Sequence, residues 1–421
     1  MTVNNGDELD RKQRRGRLYN DDNTFVALDR NNIINNIDNN NGNDDFKKQV
    51  FEEIFLSGSM PNVTRVLSEQ FIDFVEGNCK DYKLLPYVLS FFIDIILRGI
   101  AQVFLCNHPI TGIFILIGLG ITSIELVGYA LLGAIFGNIG AALIGRPPMH
   151  DITSGLCGYD AALVGCASWA FLSDFSCRAL IAAILSFISG IVHVACANIL
   201  NVFDLPTFTL AFNITMICFL LSVSTNHAKV ITLRKSSSII YPDNYTDMSI
   251  DFFVDASIKG VGQFMFVDTT VGSSLVLFGI AISSRIGAFA AWTGSTVACL
   301  TAYYLLQVED LVNVRNGLFG YNSSGCVASL SGNVFFYSNI PNFFSGSVIG
   351  GSFAVLILTT FQSIFGTLWD LPVLTFPFIT TTWLMMMTRS TLFVSLSEPD
   401  PNNLMLSSSH HSHHSFEKIK I

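Results

Sequence analysis

The sequence predicts an all-α membrane protein built from two repeated units. Apolar residues make up 50% of its 421 residues and charged residues only 13%, whereas soluble domains carry about 25% charged residues. Several apolar stretches reach the ~20 residues that a helix needs to cross a bilayer, and a set of motifs occurs twice in the same order. These observations exclude a soluble globular domain, and we predict no nucleic-acid partner.

Seven apolar stretches are the candidate membrane spans. They cover residues 84–105, 110–132, 179–200, 208–223, 275–305, 347–365 and 373–387. We expect some of them to contain more than one crossing. Shorter apolar runs lie near 161–172 and 326–337, and runs of that length are typical of helices that stop inside the membrane.

Polar segments flank this apolar region. Residues 1–83 are predicted to form a largely disordered cytoplasmic tail, because the first 45 are rich in Asn and Asp and offer few apolar groups. Residues 395–421 are predicted to form a cytoplasmic C-terminal tail. It contains a cluster of four histidines, for which a flexible polar tail is a more typical role than a metal site: His410, His411, His413 and His414.

Three duplicated motifs define the two units. They are LRGIAQVFLCNHPITG at 97–112 with IKGVGQFMFVDTTVG at 258–272, GLCGYDA at 155–161 with GLFGYNS at 317–323, and DLPTFTLAF at 204–212 with DLPVLTFPF at 370–378. The paired motifs lie 161 (Gln102 to Gln263), 162 (Tyr159 to Tyr321) and 166 (Pro206 to Pro372) residues apart. One order and nearly one offset indicate a duplication.

The duplication predicts a first membrane repeat at 84–224, a linker at 225–257 and a second repeat at 258–394. We expect five crossings in each repeat plus a short pore segment at GLxGY. An odd number of crossings gives the two copies opposite orientations, and inverted repeats place a substrate site between them near the midplane. The linker would then be extracellular, where Asn244, in the sequon Asn244-Tyr245-Thr246, is a candidate for glycosylation.

The residue pattern favours neither a metal site nor an enzyme. The nine cysteines are scattered through apolar stretches without a CxxC motif. No HExxH, nucleophile elbow or phosphate loop occurs in a suitable context. We therefore predict no cofactor, no metal and no enzymatic activity.

Polar residues inside the apolar stretches have both structural and functional interpretations. The repeated glutamines can bond neighbouring helices, the tyrosines can pack at the membrane interface, and the threonines can cap helices. Their recurrence in both repeats favours a shared role, and the structural interpretation stays open on these residues alone. Asp94 and Arg98 lie one helical turn apart and are interpreted as a structural ion pair, and His193 as a packing residue.

Taken together, the motifs resemble the urea transporter family, the channel-like facilitators of urea. The resemblance spans about 85–390 and includes FFIDIILRGIAQVFLCNHPITG at 91–112 and GLCGYDAALVG at 155–165. It implies ten membrane helices plus two tilted pore helices, a homotrimer with one pore per protomer, and passive transport of urea through the plasma membrane.

The resemblance also implies which side chains line the pore. They are Gln102, Val103, Leu105, Tyr159, Leu163, Thr209, Gln263, Phe264, Phe266, Tyr321, Gly325 and Thr375. The chain departs from the family at several positions. Leu105 replaces a frequent Phe, and Gly325 replaces a pore Leu, which predicts a wider wall. Thr269-Thr270 replaces an Asn-Pro pair.

These residue types suit urea, which is small, flat and neutral. Removing its water without replacement costs several kcal/mol (roughly 2–7 for an amide-like group), so a pore must supply hydrogen-bonding groups. Thr hydroxyls, Gln amides and the carbonyls of interrupted helices can do so, and apolar walls exclude hydrated ions. A channel for another small neutral solute, such as a short amide, ammonia or water, has the same requirements and stays open as the alternative.

Overall fold

The computed structural model describes residues 84–172, 175, 177–227, 249–309, 311–336 and 339–388. These residues form helices joined by short turns and contain no β-strand. The predicted tails at 1–83 and 395–421, with their histidine cluster, and the glycosylation candidate Asn244 lie outside the described residues.

The first half of the described chain contains seven helices. They are α1 (Leu84–Gln102), α2 (Pro109–Thr122), α3 (Ile124–Gly140), α4 (Met149–Thr153), α5 (Tyr159–Phe171), α6 (Arg178–Leu200) and α7 (Leu210–His227). A π-helical turn at Ala141–Gly145 extends α3, and a 3-10 turn at Asn201–Phe203 extends α6.

The second half repeats this order. It contains α8 (Ile250–Gly262), α9 (Thr270–Ser283), α10 (Arg285–Leu300), α11 (Leu311–Arg315), α12 (Gly320–Ser331), α13 (Ile340–Ser345), α14 (Gly351–Phe361), α15 (Thr367–Trp369) and α16 (Phe376–Met387). The π-helical turns Gly346–Gly350 and Gln362–Gly366 join α13, α14 and α15 into one long segment, which occupies the place of α6.

Serine caps divide two of the predicted spans. The stretches 110–132 and 275–305 each break into two helices, at Ser123 and Ser284. Both serines are extended, and their side chains accept a backbone N–H of the next helix, from Glu125 and Gly287. An N-cap of this kind satisfies a donor that the helix itself leaves unpaired.

The helices on both sides extend into the predicted linker at 225–257. Helix α7 continues to His227 and α8 begins at Ile250, where the Ser249 side chain accepts the Phe252 N–H. A favourable cap and an apolar first turn therefore extend the second half toward the N-terminus. Residues 250–257 are helical, although their polarity placed them in the linker.

Backbone geometry recurs at equivalent positions of the halves. A left-handed conformation is uncommon for residues other than glycine, yet it occurs in matched pairs. The pairs are Leu105 and Phe266 (φ 60° and 63°), Asp204 and Asp370 (56° and 52°), Phe208 and Leu374 (44° and 55°), and Arg146 and Gln307 (both 50°). The two halves thus follow the same local chain path at each helix interruption.

Helices α2 and α9, which are equivalent, pack directly against each other. The Thr111 hydroxyl donates to the Gly279 carbonyl at 2.7 Å, and a Cβ added to Gly118 would lie 2.7 Å from the Gly272 carbonyl oxygen. Position 111 thus faces 279 while 118 faces 272, so the two helices run antiparallel. The contact is reciprocal, because 111 is equivalent to 272 and 118 to 279.

Small residues allow close helix packing, and the outer surface is apolar. A Cβ at Gly133 would lie 2.2 Å from the Ala161 carbonyl oxygen, and one at Gly190 2.0 Å from that of Gly137, as in membrane helix pairs. Large aliphatic side chains such as Ile113 and Ile117 are exposed. Exposed aliphatic side chains of this kind suit contact with lipid.

Three of the described helical segments are long and apolar enough to cross a membrane, by length and composition. They are Ile124–Gly145, Arg178–Phe203 and Ile340–Gly366. The segments Ile250–Met265 and Thr270–Ser283 pass the same test together, with a bend of 73° between them. The predicted total of ten crossings remains a prediction.

Candidate solute pathway

The repeated glutamines tie helix ends to the following segments. Gln102 ends α1, and its Nε2 donates to the carbonyl of Ser154, the residue after α4, at 3.0 Å. Gln263 follows α8, and its Nε2 donates to the carbonyl of Asn316, the residue after α11, at 2.9 Å. Each glutamine is half-buried and bonds within its own half.

The glycines that open the two GLxGY motifs have a left-handed backbone conformation. Gly155 and Gly317 have φ of +80° and +79°. A Cβ at Gly155 would lie 2.4 Å from the Gly99 nitrogen, and one at Gly317 2.4 Å from the Gly260 nitrogen. Glycine therefore permits both the turn and the close approach of the motif to α1 or α8.

The tyrosines of these motifs hold the LPxxT segments. The Tyr159 hydroxyl donates to the carbonyl of Phe208, and the Tyr321 hydroxyl donates to the carbonyl of Leu374 at 2.7 Å. Both acceptors precede the repeated threonine and have positive φ. The phenols therefore fix the backbone that presents the threonines.

The residue after each tyrosine caps the helix that follows the LPxxT segment of the same half. Asp160 Oδ1 accepts the Phe212 N–H at 3.1 Å, and Asn322 Oδ1 accepts the Phe378 N–H, also at 3.1 Å. These N–H groups lie in the first turns of α7 and α16, where no helical acceptor exists. Asp160 differs from Asn322 in charge, and its Oδ2 lies 2.8 Å from His193 Nδ1.

The two repeated threonines meet each other. Thr209 Oγ1 and Thr375 Oγ1 are 2.7 Å apart, and both residues are buried. Asn213 holds this pair, since its Nδ2 donates to Thr375 Oγ1 at 2.7 Å and its Oδ1 accepts the Thr375 N–H at 3.1 Å. Trp383 adds another bond between halves, donating to the Pro206 carbonyl at 2.9 Å.

Phenylalanine rings of the two halves pack against one another. The ring of Phe378 packs edge-to-face on those of Phe208 and Phe264, with centroids 4.9 and 5.5 Å apart. The ring of Phe104 lies 5.8 Å from that of Phe264. The predicted pore residue Phe266 packs on Phe171 at 5.7 Å. Such arrangements suit the ring quadrupoles and give rigid apolar walls.

A cavity opens beside these rings. Its volume is about 30 Å³. The lining includes four of the predicted pore residues: Val103, Leu105, Phe264 and Gly325. The two glutamines, two tyrosines and two threonines do not line this cavity, and neither do Leu163, which is fully buried on α5, and Phe266.

The predicted ion pair fixes the loop after α1. Arg98 Nε lies 2.7 Å from Asp94 Oδ2, and Arg98 Nη1 donates to the backbone and side-chain oxygens of Asn107 at 2.9 and 2.8 Å. In the second half the equivalent pair is Asp255 and Lys259, 3.1 Å apart. Both cations are buried and paired, and neither lines the cavity.

The sequence matches the model of a known protein family over most of its length. The model of the family described as urea transporter matches residues 93–390, well over half of the chain, and matches residues 314–418 a second time. The chain belongs to the urea transporter family. Together with its apolar helices, this membership makes it a multi-pass membrane protein of a transporter family.

Individual relatives agree with the family model. Urea transporter 1 of sheep (Ovis aries) is 29% identical over 269 residues, which are 61% of this chain and 68% of the relative. Urea transporter 1 of mouse (Mus musculus) is 29% identical over 271 residues with the same shares, and that of rat (Rattus norvegicus) is 28% identical over 268.

Sequence reasoning missed several side chains of this urea transporter family member. Asn213, which bridges the threonines, has no counterpart in the second half, where Ile379 stands at the same offset. Asp160 occupies the position equivalent to Asn322 in the duplicated motif. The replacement of a neutral amide by a carboxyl group at this position was the signal that could have pointed to it. His193 is buried, as expected of a packing residue, and its Nδ1 lies 2.8 Å from Asp160 Oδ2.

Proposed function

We propose that this chain conducts urea passively across the plasma membrane, through a narrow uncharged pathway between its two halves. The observation that carries the proposal is the threonine pair. Thr209 and Thr375 occupy the same position in the two repeats, and their hydroxyl oxygens are 2.7 Å apart. This contact between equivalent residues 166 positions apart supports an arrangement in which the two repeats face each other.

The proposed architecture is a pair of inverted repeats, each with five crossings and a tilted pore helix, α5 or α12. Two observations support it: the antiparallel contact of the equivalent helices α2 and α9, and the meeting of equivalent threonines. In inverted repeats the substrate site lies between the copies, where discontinuous helices end. The matched left-handed residues Phe208 and Leu374 mark such ends beside each threonine.

The chemistry of this region suits a neutral solute with several donors and an acceptor. Threonine hydroxyls both donate and accept, and glutamine amides do so too. The charged groups Arg98, Asp94 and Lys259 are each held in an ion pair, so they do not present a free charge to a solute. Apolar rings on the walls disfavour hydrated ions, and a neutral solute feels no membrane voltage.

The resemblance to the family extends the proposal in three respects. We propose a homotrimer with one pathway in each protomer, a place in the plasma membrane, and an extracellular linker glycosylated at Asn244. If glycosidase treatment shifts the gel band of the wild-type protein and Asn244→Gln abolishes this shift, glycosylation at Asn244 is supported. If the wild-type band is unchanged by glycosidase, glycosylation at Asn244 is refuted.

The test of the urea function is flux into proteoliposomes of the full chain, with thiourea and water as comparison solutes. The urea flux of wild-type proteoliposomes is expected to exceed that of empty vesicles. It is also expected to saturate with urea concentration or to respond to an inhibitor. Thr209→Val with Thr375→Val keeps the side-chain shapes and removes both hydroxyls. A buried hydrogen bond contributes about 0.5–1.5 kcal/mol net, so losing two removes about 1–3 kcal/mol and is expected to lower urea flux about fivefold or more.

Thr111→Val is the matched control. Thr111 is also completely buried and donates one bond, to the Gly279 carbonyl at 2.7 Å, but it lies between α2 and α9, outside the threonine pair. Its urea flux per folded protein is expected to equal that of wild type. If wild type is no faster than empty vesicles, or if the double variant matches the control, the proposal fails.

A further inference from the structure

Trp383 connects the second half to the first LPxxT segment. It lies on α16, and its indole Nε1 donates to the carbonyl of Pro206 at 2.9 Å. Pro206 opens the segment 206–209, which ends at Thr209 of the threonine pair. The bond therefore joins α16 to one end of a short segment whose other end meets Thr375, the N-cap of the same helix.

The middle of this segment has a backbone that outside contacts must maintain. Phe208 is left-handed, with φ 44°, and this conformation is uncommon for residues other than glycine. Such a residue persists only where its surroundings fix it. Its ring packs on those of Phe378 and Phe335, both in the second half, with centroids 4.9 and 5.6 Å apart. The second half therefore contacts the segment along its whole length.

The indole bond has no counterpart in the opposite direction. At an offset of 166 residues Ile217 on α7 is equivalent to Trp383, and Pro372 is equivalent to Pro206. An isoleucine side chain has no N–H, so Ile217 cannot donate to the Pro372 carbonyl. Duplication alone does not produce this contact, and the first LPxxT segment is held from the other half in a way that the second is not.

The other carbonyls near Thr209 are bonded from within the first half. The Phe208 carbonyl accepts the hydroxyl of Tyr159. The Thr209 carbonyl accepts the side chain of Asn213 at 2.7 Å. Of these three carbonyls, only that of Pro206 is bonded from the second half, through the indole N–H.

We propose that Trp383 is a positioning residue of the pathway, because its N–H fixes Pro206 and thereby holds Thr209 against Thr375. The inference rests on the proposed urea function and adds to it a residue outside the duplicated motifs. Pro206 and Trp383 are both half-buried. Water can therefore replace a lost indole N–H at this carbonyl, so that the segment gains freedom while α16 stays folded.

Two variants at this position separate the hydrogen bond from the bulk of the ring. Trp383→Phe keeps an aromatic ring and removes the N–H. Trp383→His keeps an N–H at the ε position of a five-membered ring, where the indole has its own, and removes the second ring. Trp292→Phe is the matched control, because Trp292 Nε1 also donates one bond, to Ser257 Oγ at 3.0 Å, but within the second half.

Amide hydrogen exchange of the full chain in detergent measures the freedom of the segment without any urea. In Trp383→Phe the peptide covering 204–213 is expected to exchange about two- to tenfold faster than in wild type, which is the factor that one hydrogen bond contributes. In Trp383→His and in Trp292→Phe this peptide is expected to exchange as it does in wild type.

Urea flux into proteoliposomes measures the consequence for transport. Trp383→Phe is expected to lower the flux per folded protein about two- to tenfold, and Trp383→His and Trp292→Phe are expected to conduct as wild type does. In a Thr209→Val background, Trp383→Phe is expected to cause no further loss, because Trp383 acts through the Thr209 hydroxyl. A purely structural role would lower the flux equally in both backgrounds.

Each outcome supports or overturns the positioning role. Unchanged exchange at 204–213 in Trp383→Phe overturns it, whatever the flux. Exchange in Trp383→His as fast as in Trp383→Phe also overturns it, as does an equal loss of flux in the two backgrounds. If wild type passes no more urea than empty vesicles, the urea function fails. Faster exchange in Trp383→Phe but not in Trp383→His then still supports the hold of Trp383 on the segment.

Discussion

Replacing Asn213 by leucine removes the side chain that bonds the two halves at the threonine pair. Asn213 is completely buried. Its Nδ2 donates to Thr375 Oγ1 and to the Thr209 carbonyl, both at 2.7 Å, and its Oδ1 accepts the Thr375 N–H at 3.1 Å. Leucine has a similar size without polar atoms, so the change separates hydrogen bonding from packing.

The magnitude follows from which groups lose their partners. The Thr209 carbonyl keeps the helical bond from the Asn213 N–H at 3.1 Å, and Thr375 Oγ1 keeps Thr209 Oγ1. The Thr375 N–H loses its acceptor. A buried donor without a partner costs about 1–3 kcal/mol, and each lost bond about 0.5–1.5 kcal/mol. The free energy of unfolding is expected to fall by about 2–6 kcal/mol, from one unpaired donor and two further lost bonds.

The assay is thermal unfolding of the purified full chain in detergent, together with urea flux below the unfolding temperature. Asn138→Leu is the control, because Asn138 Nδ2 donates only within α3, to the Ala134 carbonyl at 2.8 Å, and its Oδ1 has no partner among the described residues. If Asn213→Leu unfolds and conducts as Asn138→Leu does, Asn213 does not hold the threonine pair.

Two further predictions concern the GLxGY segment. Asp160→Asn keeps the acceptor for the Phe212 N–H and is expected to conduct within about twofold of wild type, whereas His193→Ala leaves a buried charge unpaired and costs about 3–5 kcal/mol, measured as loss of monodisperse protein. Adding Asp160→Asn to His193→Ala is expected to restore the yield; equal yields contradict the charge argument. Gly155→Ala is expected to give little folded protein. The added Cβ would lie 2.4 Å from the Gly99 nitrogen, and the left-handed backbone adds about 1–2 kcal/mol of strain. A yield equal to that of wild type would contradict this geometry.

Duplication explains which parts of the site the sequence could predict. Wherever both repeats keep a residue type, as with the glutamines, tyrosines and threonines, comparison of the halves selected it as a pore candidate, and its place in a pathway stays a prediction. Asn213 has no such copy and looked like an ordinary helical asparagine. Its role depends on the approach of Thr375, which lies 162 residues away, and no local pattern records that approach.

The helix boundaries were less predictable for a different reason. Membrane helices show weak periodicity because lipid and protein interior are both apolar. The stretches 110–132 and 275–305 therefore read as continuous, although Ser123 and Ser284 divide them. A capping serine inside an apolar run is a small signal, and its recurrence at an offset of 161 residues is what distinguishes it from an isolated serine.

The proposed arrangement of facing repeats separates two properties of the pathway. Only residues near the axis that relates two copies can touch their own equivalents, as Thr209 and Thr375 do, so the two hydroxyls at the centre come from matched residues. Away from that axis the two walls belong to different residues and can diverge, as Leu163 and Gly325 have. Hydrogen bonding to the solute is then set at the centre and the size limit at the walls. Substitutions at Gly325 should therefore change which ureas pass, whereas loss of the threonine hydroxyls should slow all of them together.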